Sequence, residues 1–150
     1  MNPAPQPSYF IGPSGWSYPD WAGIVYPRNA GRKFDQLSFL STYFSAIELN
    51  VSFYRPVTAR MAESWVRRVD SNPRFRFTAK LHQQFTHERS AYSREAVDEF
   101  LTGLKPLADA ARLGCILMQF PWSFRRGATS IDWLRRLADD FSRHPLVAEF

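Results

Sequence analysis

The chain has very little cysteine and no long apolar run. Its 150 residues include one cysteine, Cys115, which excludes an internal disulfide and a zinc site built from several thiolates. The apolar runs are far shorter than the roughly 18 residues that a membrane-spanning helix requires. The N-terminus also lacks the basic and apolar segments of a secretory signal. We therefore expect a cytoplasmic protein that does not bind a membrane.

Proline marks one segment that is unlike the rest. Prolines at positions 3, 5 and 7 predict a flexible lead over residues 1–8. The remaining residues, 9–150, are predicted to form a single domain. Because 45% of the chain is hydrophobic and 16% is aromatic, it has enough apolar material for a packed core.

Positive charge exceeds negative charge, with a formal net charge of +5. Much of the excess is arginine in pairs: Arg67-Arg68, Arg125-Arg126 and Arg135-Arg136. At least two pairs fall in helical patterns, where a solvated outer face explains them. Net charge alone identifies neither a nucleic-acid-binding fold nor an element that enters a nucleic-acid groove. Nucleic-acid binding is therefore only an alternative interpretation.

Strand patterns alternate with helical patterns along the chain. Apolar or alternating runs predict strands over residues 9–12, 46–50, 75–80, 115–120 and 146–150. Apolar residues at helical spacing predict four helices between them. The first covers residues 35–44, and the others begin after the N-caps Thr58, Ser93 and Ser130. Gly114 is expected to end the third helix.

Strict alternation of strands and helices predicts an α/β fold with a parallel sheet. The Gly12-Pro-Ser-Gly15 loop lacks the G-x-G-x-x-G spacing, which disfavours a dinucleotide-binding fold. A TIM-barrel-like (β/α) barrel is therefore predicted. A complete barrel needs roughly 250 residues. Five strands and four helices make it truncated, and we expect the domain to continue beyond Phe150.

Strand parity predicts which side chains face the barrel interior, because apolar neighbours must face the helices. The polar side chains that remain inside are Glu48, Asn50, Lys80, Gln119 and Glu149. They fall near the carboxyl ends of their strands, where barrels of this kind keep their active sites. We predict catalytic roles for Glu48, Lys80 and Glu149. The structural alternative is a buried ion-pair network of these three charges that only holds the strands together.

Ligand-binding roles are predicted for Asn50 and Gln119, and for residues in the loops after the strands. The loop residues are Trp16, Tyr18, Tyr54 and His87. Aromatic rings beside polar groups suit the stacking of sugars or bases. Packing as a lid is the alternative, and it is favoured for Trp21, Trp122 and Phe124.

No metal site and no cofactor are predicted. His82 and His87 are five residues apart, whereas a helical zinc pair is four apart. A metal held by Glu48, His87 and Glu149 is a weaker alternative.

Four segments resemble a known family. They are Gly12-Pro-Ser-Gly-Trp-Ser-Tyr18, Glu48-Leu-Asn-Val-Ser-Phe-Tyr54, Phe77-Thr-Ala-Lys80 with Thr86-His87, and Gln119-Phe-Pro-Trp-Ser-Phe124. Together, over residues 9–150, they resemble the YecE-like family, also called domain of unknown function 72. Pro13 stands where the family usually has Thr, and Val51-Ser52 where it has Ser-Thr. The resemblance implies a TIM-barrel-like fold and no particular reaction.

The predicted function is that of an enzyme acting on a small polar metabolite, sugar-like or nucleoside-like. Glu48 and Glu149 would divide the acid and base roles, with Lys80 between them. A Schiff base at Lys80 is disfavoured, because neighbouring carboxylates favour the charged ammonium. The alternatives are a non-catalytic module that binds a small ligand and a nucleic-acid-binding module.

Overall fold

The computed structural model describes residues 9–150, and the predicted Pro-rich lead, residues 1–8, lies outside them. Four parallel strands form one sheet, in the same order as along the chain. They are β1 (Ala46–Leu49), β2 (Arg76–Lys80), β3 (Leu113–Gln119) and β4 (Leu146–Glu149). The predicted α/β alternation with a parallel sheet is confirmed. The sheet is open, so a closed barrel is not present within residues 9–150.

The strand predicted at residues 9–12 is replaced by an irregular segment beside β1. The Ala46 N–H donates to the Ile11 carbonyl over 3.2 Å, and the Glu48 N–H donates to the Pro13 carbonyl over 3.1 Å. Pro13 has no N–H to return, which interrupts a regular ladder. Gly12 lies so close to β1 that a Cβ there would be 1.6 Å from the Ala46 carbonyl oxygen.

Helices connect the strands. The four longer ones are α1 (Gln36–Ser41), α3 (Ala59–Arg68), α4 (Arg94–Asp109) and α5 (Ala128–Asp140). The shorter elements are a 3₁₀ helix (Pro19–Trp21), α2 (Val51–Tyr54) and a π-helical turn (Gln84–Glu88). The predicted N-caps Thr58 and Ser93 each accept a hydrogen bond from a backbone N–H of α3 and α4, respectively.

Two predicted helix boundaries are wrong. Helix α5 begins at Ala128, so Ser130 lies in its first turn and is not its N-cap. Helix α4 ends at Asp109 and not at Gly114. Gly114 is instead the extra residue of a β-bulge, since Phe77 pairs with Leu113 while the next residue of β2 pairs with Cys115.

The helices cover one face of the sheet, so alternate residues of each strand face the helices. In β1 and β2, buried residues alternate with half-buried ones. The buried side chains Ile47, Leu49, Phe77, Ala79 and Ile116 all face the helix layer. Helix α4 comes close to the segment that leads into α3 at Gly103, where a Cβ would be 1.9 Å from the Val57 carbonyl oxygen. The polar members of the strands therefore lie on the opposite, inner face.

The two edges of the sheet differ. Residues 11–15 hydrogen-bond along β1, whereas β4 has no further strand beside it within residues 9–150. Close to β4, Phe150 is 71% exposed and stacks on Phe120 with ring centroids 5.7 Å apart. In the part of the chain that the structure describes, no helix is both long and apolar enough to cross a membrane.

Candidate functional site

An abrupt turn from β1 into α2 positions the residues after Glu48. Asn50 has helical backbone angles directly after β1, with φ −72° and ψ −27°. The buried Ser52 hydroxyl lies 2.7 Å from the Lys80 carbonyl oxygen and donates to it. This contact joins the start of α2 to the carboxyl end of β2. Glu48, Asn50 and Lys80 are thereby brought to one side of the sheet.

Four side chains form a hydrogen-bonded chain on this side, which we call the Glu48 cluster: Ser14, Glu48, Asn50 and Lys80. Asn50 Nδ2 donates to Ser14 Oγ over 2.6 Å, and Ser14 Oγ donates to Glu48 Oε1 over 2.7 Å. Lys80 Nζ lies 3.3 Å from the same Glu48 oxygen. The side chains of Lys80 and Glu48 are 18% and 23% exposed, so the ion pair is partly shielded from water.

The loop over residues 14–18 fixes Ser14. Gly15 has φ +80°, a left-handed conformation that favours glycine, and its N–H donates to the Glu48 carbonyl over 2.9 Å. The Tyr18 hydroxyl donates to the Ser14 carbonyl. Ser14 was not predicted as a site residue. The sequence feature that could have indicated it is the Ser14-Gly15 pair beside β1. Strand parity gives no information about this pair, because it lies in a loop.

The five polar residues predicted to line one pocket form two hydrogen-bonded groups within residues 9–150, the Glu48 cluster and the pair Gln119–Glu149. Gln119 Nε2 donates to Glu149 Oε1 over 2.7 Å, at the carboxyl ends of β3 and β4. Within residues 9–150, Glu149 and Lys80 form no ion pair within 4.0 Å, so the ion-pair network stops at Glu48–Lys80. Lys80 lies on β2 and Glu149 on β4, which are two strand spacings apart, roughly 10 Å along the sheet. Glu149 pairs in register with Gln119, two residues beyond the β3 residue, Leu117, that pairs with Lys80.

The predicted aromatic residues take up different positions. Trp16 is half-buried and packs edge to face on Trp65 of α3, with ring centroids 5.7 Å apart. Tyr54 is 68% exposed, and its ring centroid lies 5.0 Å from that of Phe53. Trp122, for which packing was favoured, is 78% exposed. Only Trp16 and Tyr18 of the predicted ring residues adjoin the Glu48 cluster through its loop.

His87 lies in the π-helical turn, which the sequence pattern did not predict. Its ring centroid is 4.8 Å from that of Phe53, and its Nδ1 is 3.0 Å from the Thr86 hydroxyl oxygen. Partial burial, followed by the positive charges of Arg89 and Lys80, lowers the pKa of His87 from its ordinary value. Arg89 ends the turn with φ 49°. Short π-helical segments occur frequently at functional sites, which marks this turn as part of the candidate site.

The single cysteine lies on the same inner face. Cys115 is half-buried and pairs with Thr78, which in turn pairs with Glu48. Burial, and to a smaller extent the charge of Glu48, raises the pKa of the Cys115 thiol. Among residues 9–150, no three His, Cys, Asp or Glu side chains are grouped so that they could hold a metal ion.

In two of the arginine pairs, one arginine contacts other side chains of the same chain. Arg68 makes a two-point contact with Asp35, at 2.6 and 2.7 Å. Arg136 lies over the Tyr92 ring, 4.1 Å from its centroid, and 3.8 Å from Asp140. These contacts give structural roles to one member of each pair.

Comparison with known proteins agrees with the motifs and the topology. The model of the family described as "Protein of unknown function DUF72" matches residues 10–150. The chain belongs to the DUF72 family. This confirms the resemblance to the YecE-like family, which is the same family under another name.

Relatives within DUF72 include a curated bacterial protein and solved structures. The chain is 31% identical over 146 residues to UPF0759 protein YunF of Bacillus subtilis (strain 168), covering 94% of the chain and 50% of YunF. It is 30% identical to a DUF72 family protein of Thermotoga maritima MSB8, whose crystal structure aligns with a TM-score of 0.74 over 94% of the chain and 55% of that protein. The chain thus spans about half the length of these relatives.

A more distant relative shares the fold. A DUF72 family protein of Enterococcus faecalis V583 aligns with a TM-score of 0.71 at 21% identity, covering 82% of the chain and 46% of that protein. The parallel sheet with its helices is therefore an arrangement common to solved DUF72 structures.

Proposed function

We propose that the chain is an enzyme that acts on a small polar metabolite, sugar-like or nucleoside-like, by carboxylate acid/base chemistry. The observation that carries the proposal is the Glu48 cluster. Both polar contacts of the Glu48 carboxylate within residues 9–150, from Ser14 and Lys80, are made to Oε1. They orient the group and leave Oε2 for a substrate proton. A general base needs this kind of fixed position within hydrogen-bonding reach of its substrate.

The neighbouring groups have complementary roles in the proposal. The Lys80 ammonium stabilises negative charge that develops on the substrate beside Glu48. Glu149, held by Gln119 across the sheet, serves as the second carboxylate. Asn50 and His87 hydrogen-bond the ligand. The rings of Trp16, Tyr18 and Tyr54 provide apolar surface for a sugar or a base.

Replacing Glu48 by Gln tests the catalytic role. The wild-type chain and Glu48→Gln would be assayed for product release from a panel of 4-nitrophenyl glycosides and ribonucleosides, with binding followed by calorimetry. We expect Glu48→Gln to lower kcat roughly 100-fold or more, because a positioned base contributes that much, while affinity is nearly unchanged. Glu63→Gln, on the exposed surface of α3, removes the same charge and serves as the control.

The opposite result identifies a binding module. If no compound in the panel is turned over, and Glu48→Gln changes only the affinity for the compounds that bind, the acid/base role is wrong. The same residues would then bind a ligand without catalysing a reaction.

A further inference from the structure

An open cleft of about 360 Å³ lies beside the Glu48 cluster. Its walls are mainly apolar, formed by Leu49, Met61 and Trp65 on one side and by Trp16 and Tyr18 of the neighbouring loop. This volume is near the lower limit of small-molecule sites, roughly 300–1,000 Å³. The cleft therefore suits one ring-sized group rather than a polymer.

The walls of the cleft are fixed by packing. Trp65 is only 5% exposed, and it supports Trp16 edge to face. The Arg68 guanidinium lies 5.8 Å from the centroid of a Trp16 ring. Tyr18 is tied to the loop by its hydroxyl, which donates to the Ser14 carbonyl. Held in this way, the rings present a preformed apolar surface to a flat ligand group.

One cation lines this cleft, at Arg55. Arg55 follows the single turn of α2 and precedes Pro56. Helical angles are disfavoured for a residue before proline, and the backbone of Arg55 is extended, with φ −155° and ψ 153°. In the described part of the chain, Arg55 makes no ion pair within 4.0 Å, unlike Arg68, which is paired with Asp35. Its guanidinium is therefore available to an anion, and its planar fork matches a phosphate or a carboxylate.

Asn50 connects the cleft to the proposed reacting group. It lines the cleft, and its Nδ2 donates to Ser14, which donates to Glu48. Two hydrogen-bonded side chains, Asn50 and Ser14, thus connect a ligand in the cleft to the carboxylate.

We propose that the cleft binds a flat apolar ring that carries a phosphate or a carboxylate, with the ring against Trp16 and Trp65 and the anion on Arg55. The inference rests on the proposed function only in taking this molecule to be the substrate on which the Glu48 cluster acts. It narrows that substrate from any small polar metabolite to an anionic compound with a ring.

Calorimetry with four probes tests the cleft. Adenosine 5′-monophosphate carries a ring and a phosphate, indole-3-acetate carries a ring and a carboxylate, and adenosine and indole are their uncharged counterparts. We expect at least one anionic probe to bind more tightly than its uncharged counterpart. Arg55→Met should weaken that probe about tenfold or more and leave the uncharged one unchanged. Arg60→Met removes an exposed charge from α3 and should change neither.

The outcomes separate this inference from the proposed function. Preference for the phosphate or for the carboxylate probe identifies the anion, and both results support the inference. If no anionic probe binds more tightly than its counterpart, or if Arg55→Met and Arg60→Met behave alike, the inference is overturned. Glu48-dependent turnover would survive that result. Conversely, Arg55-dependent binding of an anionic probe that is not turned over would still support the cleft assignment.

Discussion

His87 is surrounded by positive charge and by an aromatic ring. Partial burial, to which the Phe53 ring on one side belongs, disfavours its protonated form most, and the positive charges of Arg89 and Lys80 add to this effect. A histidine with a lowered pKa is neutral at neutral pH, and one ring nitrogen then accepts a hydrogen bond. In the proposed site, His87 would therefore accept from a ligand hydroxyl rather than pair with a ligand anion.

The titration of His87 can be measured directly. By NMR, with the signal assigned through His87→Gln, we expect the pKa of His87 to be lower than the usual histidine value of about 6.5. Lys80→Met should raise it, because a neighbouring positive charge is removed. Lys33→Met, at an exposed site, should not. A wild-type pKa at or above the usual value would contradict the described surroundings of His87.

Single residues show where inference from sequence succeeds. Glu48 and Lys80 are placed on one face by parity alone, because Ile47, Leu49, Phe77 and Ala79 have to be buried beneath the helices. Ser14 could not be found in this way. Its position depends on the left-handed Gly15 and on the Tyr18 hydroxyl, and both are properties of one particular loop conformation.

Among the helices, α1 depends on one carboxylate at its start. Asp35 accepts hydrogen bonds from the Leu37 and Ser38 N–H groups at 3.0 and 3.1 Å, and it also binds Arg68 of α3. Burial alone would raise the pKa of Asp35, but the hydrogen bonds from Arg68 and Ser38 outweigh it, and the pKa lies below its ordinary value. Asp35 therefore both caps α1 and links it to α3.

Removing this carboxylate should destabilise the fold in a pH-dependent way. We expect Asp35→Ala to lower the free energy of unfolding by about 1–2 kcal/mol at neutral pH, because the cap is lost. Asp35→Asn keeps the cap acceptor and should lose less. Because the folded pKa is depressed, the contribution is present above the unfolded pKa and disappears as pH falls through the folded pKa. Urea unfolding of the three proteins at several pH values measures this, and a gap that widens in acid would contradict it.

Elements that follow a simple period were predicted, and irregular ones were not. Four of the five expected strands and all four longer helices are present because their apolar residues recur at periods of two or of three to four. The π-helical turn has no such period. The segment at residues 9–12 has apolar residues, but Pro13 and the close approach of Gly12 to β1 interrupt its pairing. Backbone hydrogen bonding and steric fit determine the structure of these two segments, and a hydropathy pattern contains no information about either.

At the scale of the whole sheet, no further strand pairs with β4 within residues 9–150. Val147, on β4, is 48% exposed and Phe150 is 71% exposed. The other edge, at β1, is covered by residues 11–15. Unpaired strand edges with apolar neighbours promote association between chains.

We expect the chain to self-associate through the β4 edge. Sedimentation velocity should show species larger than the monomer that increase with protein concentration. Val147→Lys should reduce them, because a charge on an edge strand opposes pairing. Ile24→Lys places the same charge at another exposed apolar residue, which is 84% exposed and distant in sequence from β4, and should have little effect. A wild-type chain that stays monomeric at all concentrations would rule out this association.

The single thiol on the inner face also has a practical consequence. Cys115 is level with Glu48 through Thr78, one strand from Lys80, and no second cysteine competes with it for a reagent. A trifluoromethyl label attached there under mildly alkaline conditions, which its raised pKa calls for, would sit beside the Glu48 cluster. Its fluorine resonance would then report occupancy of the site without any change to the native sequence.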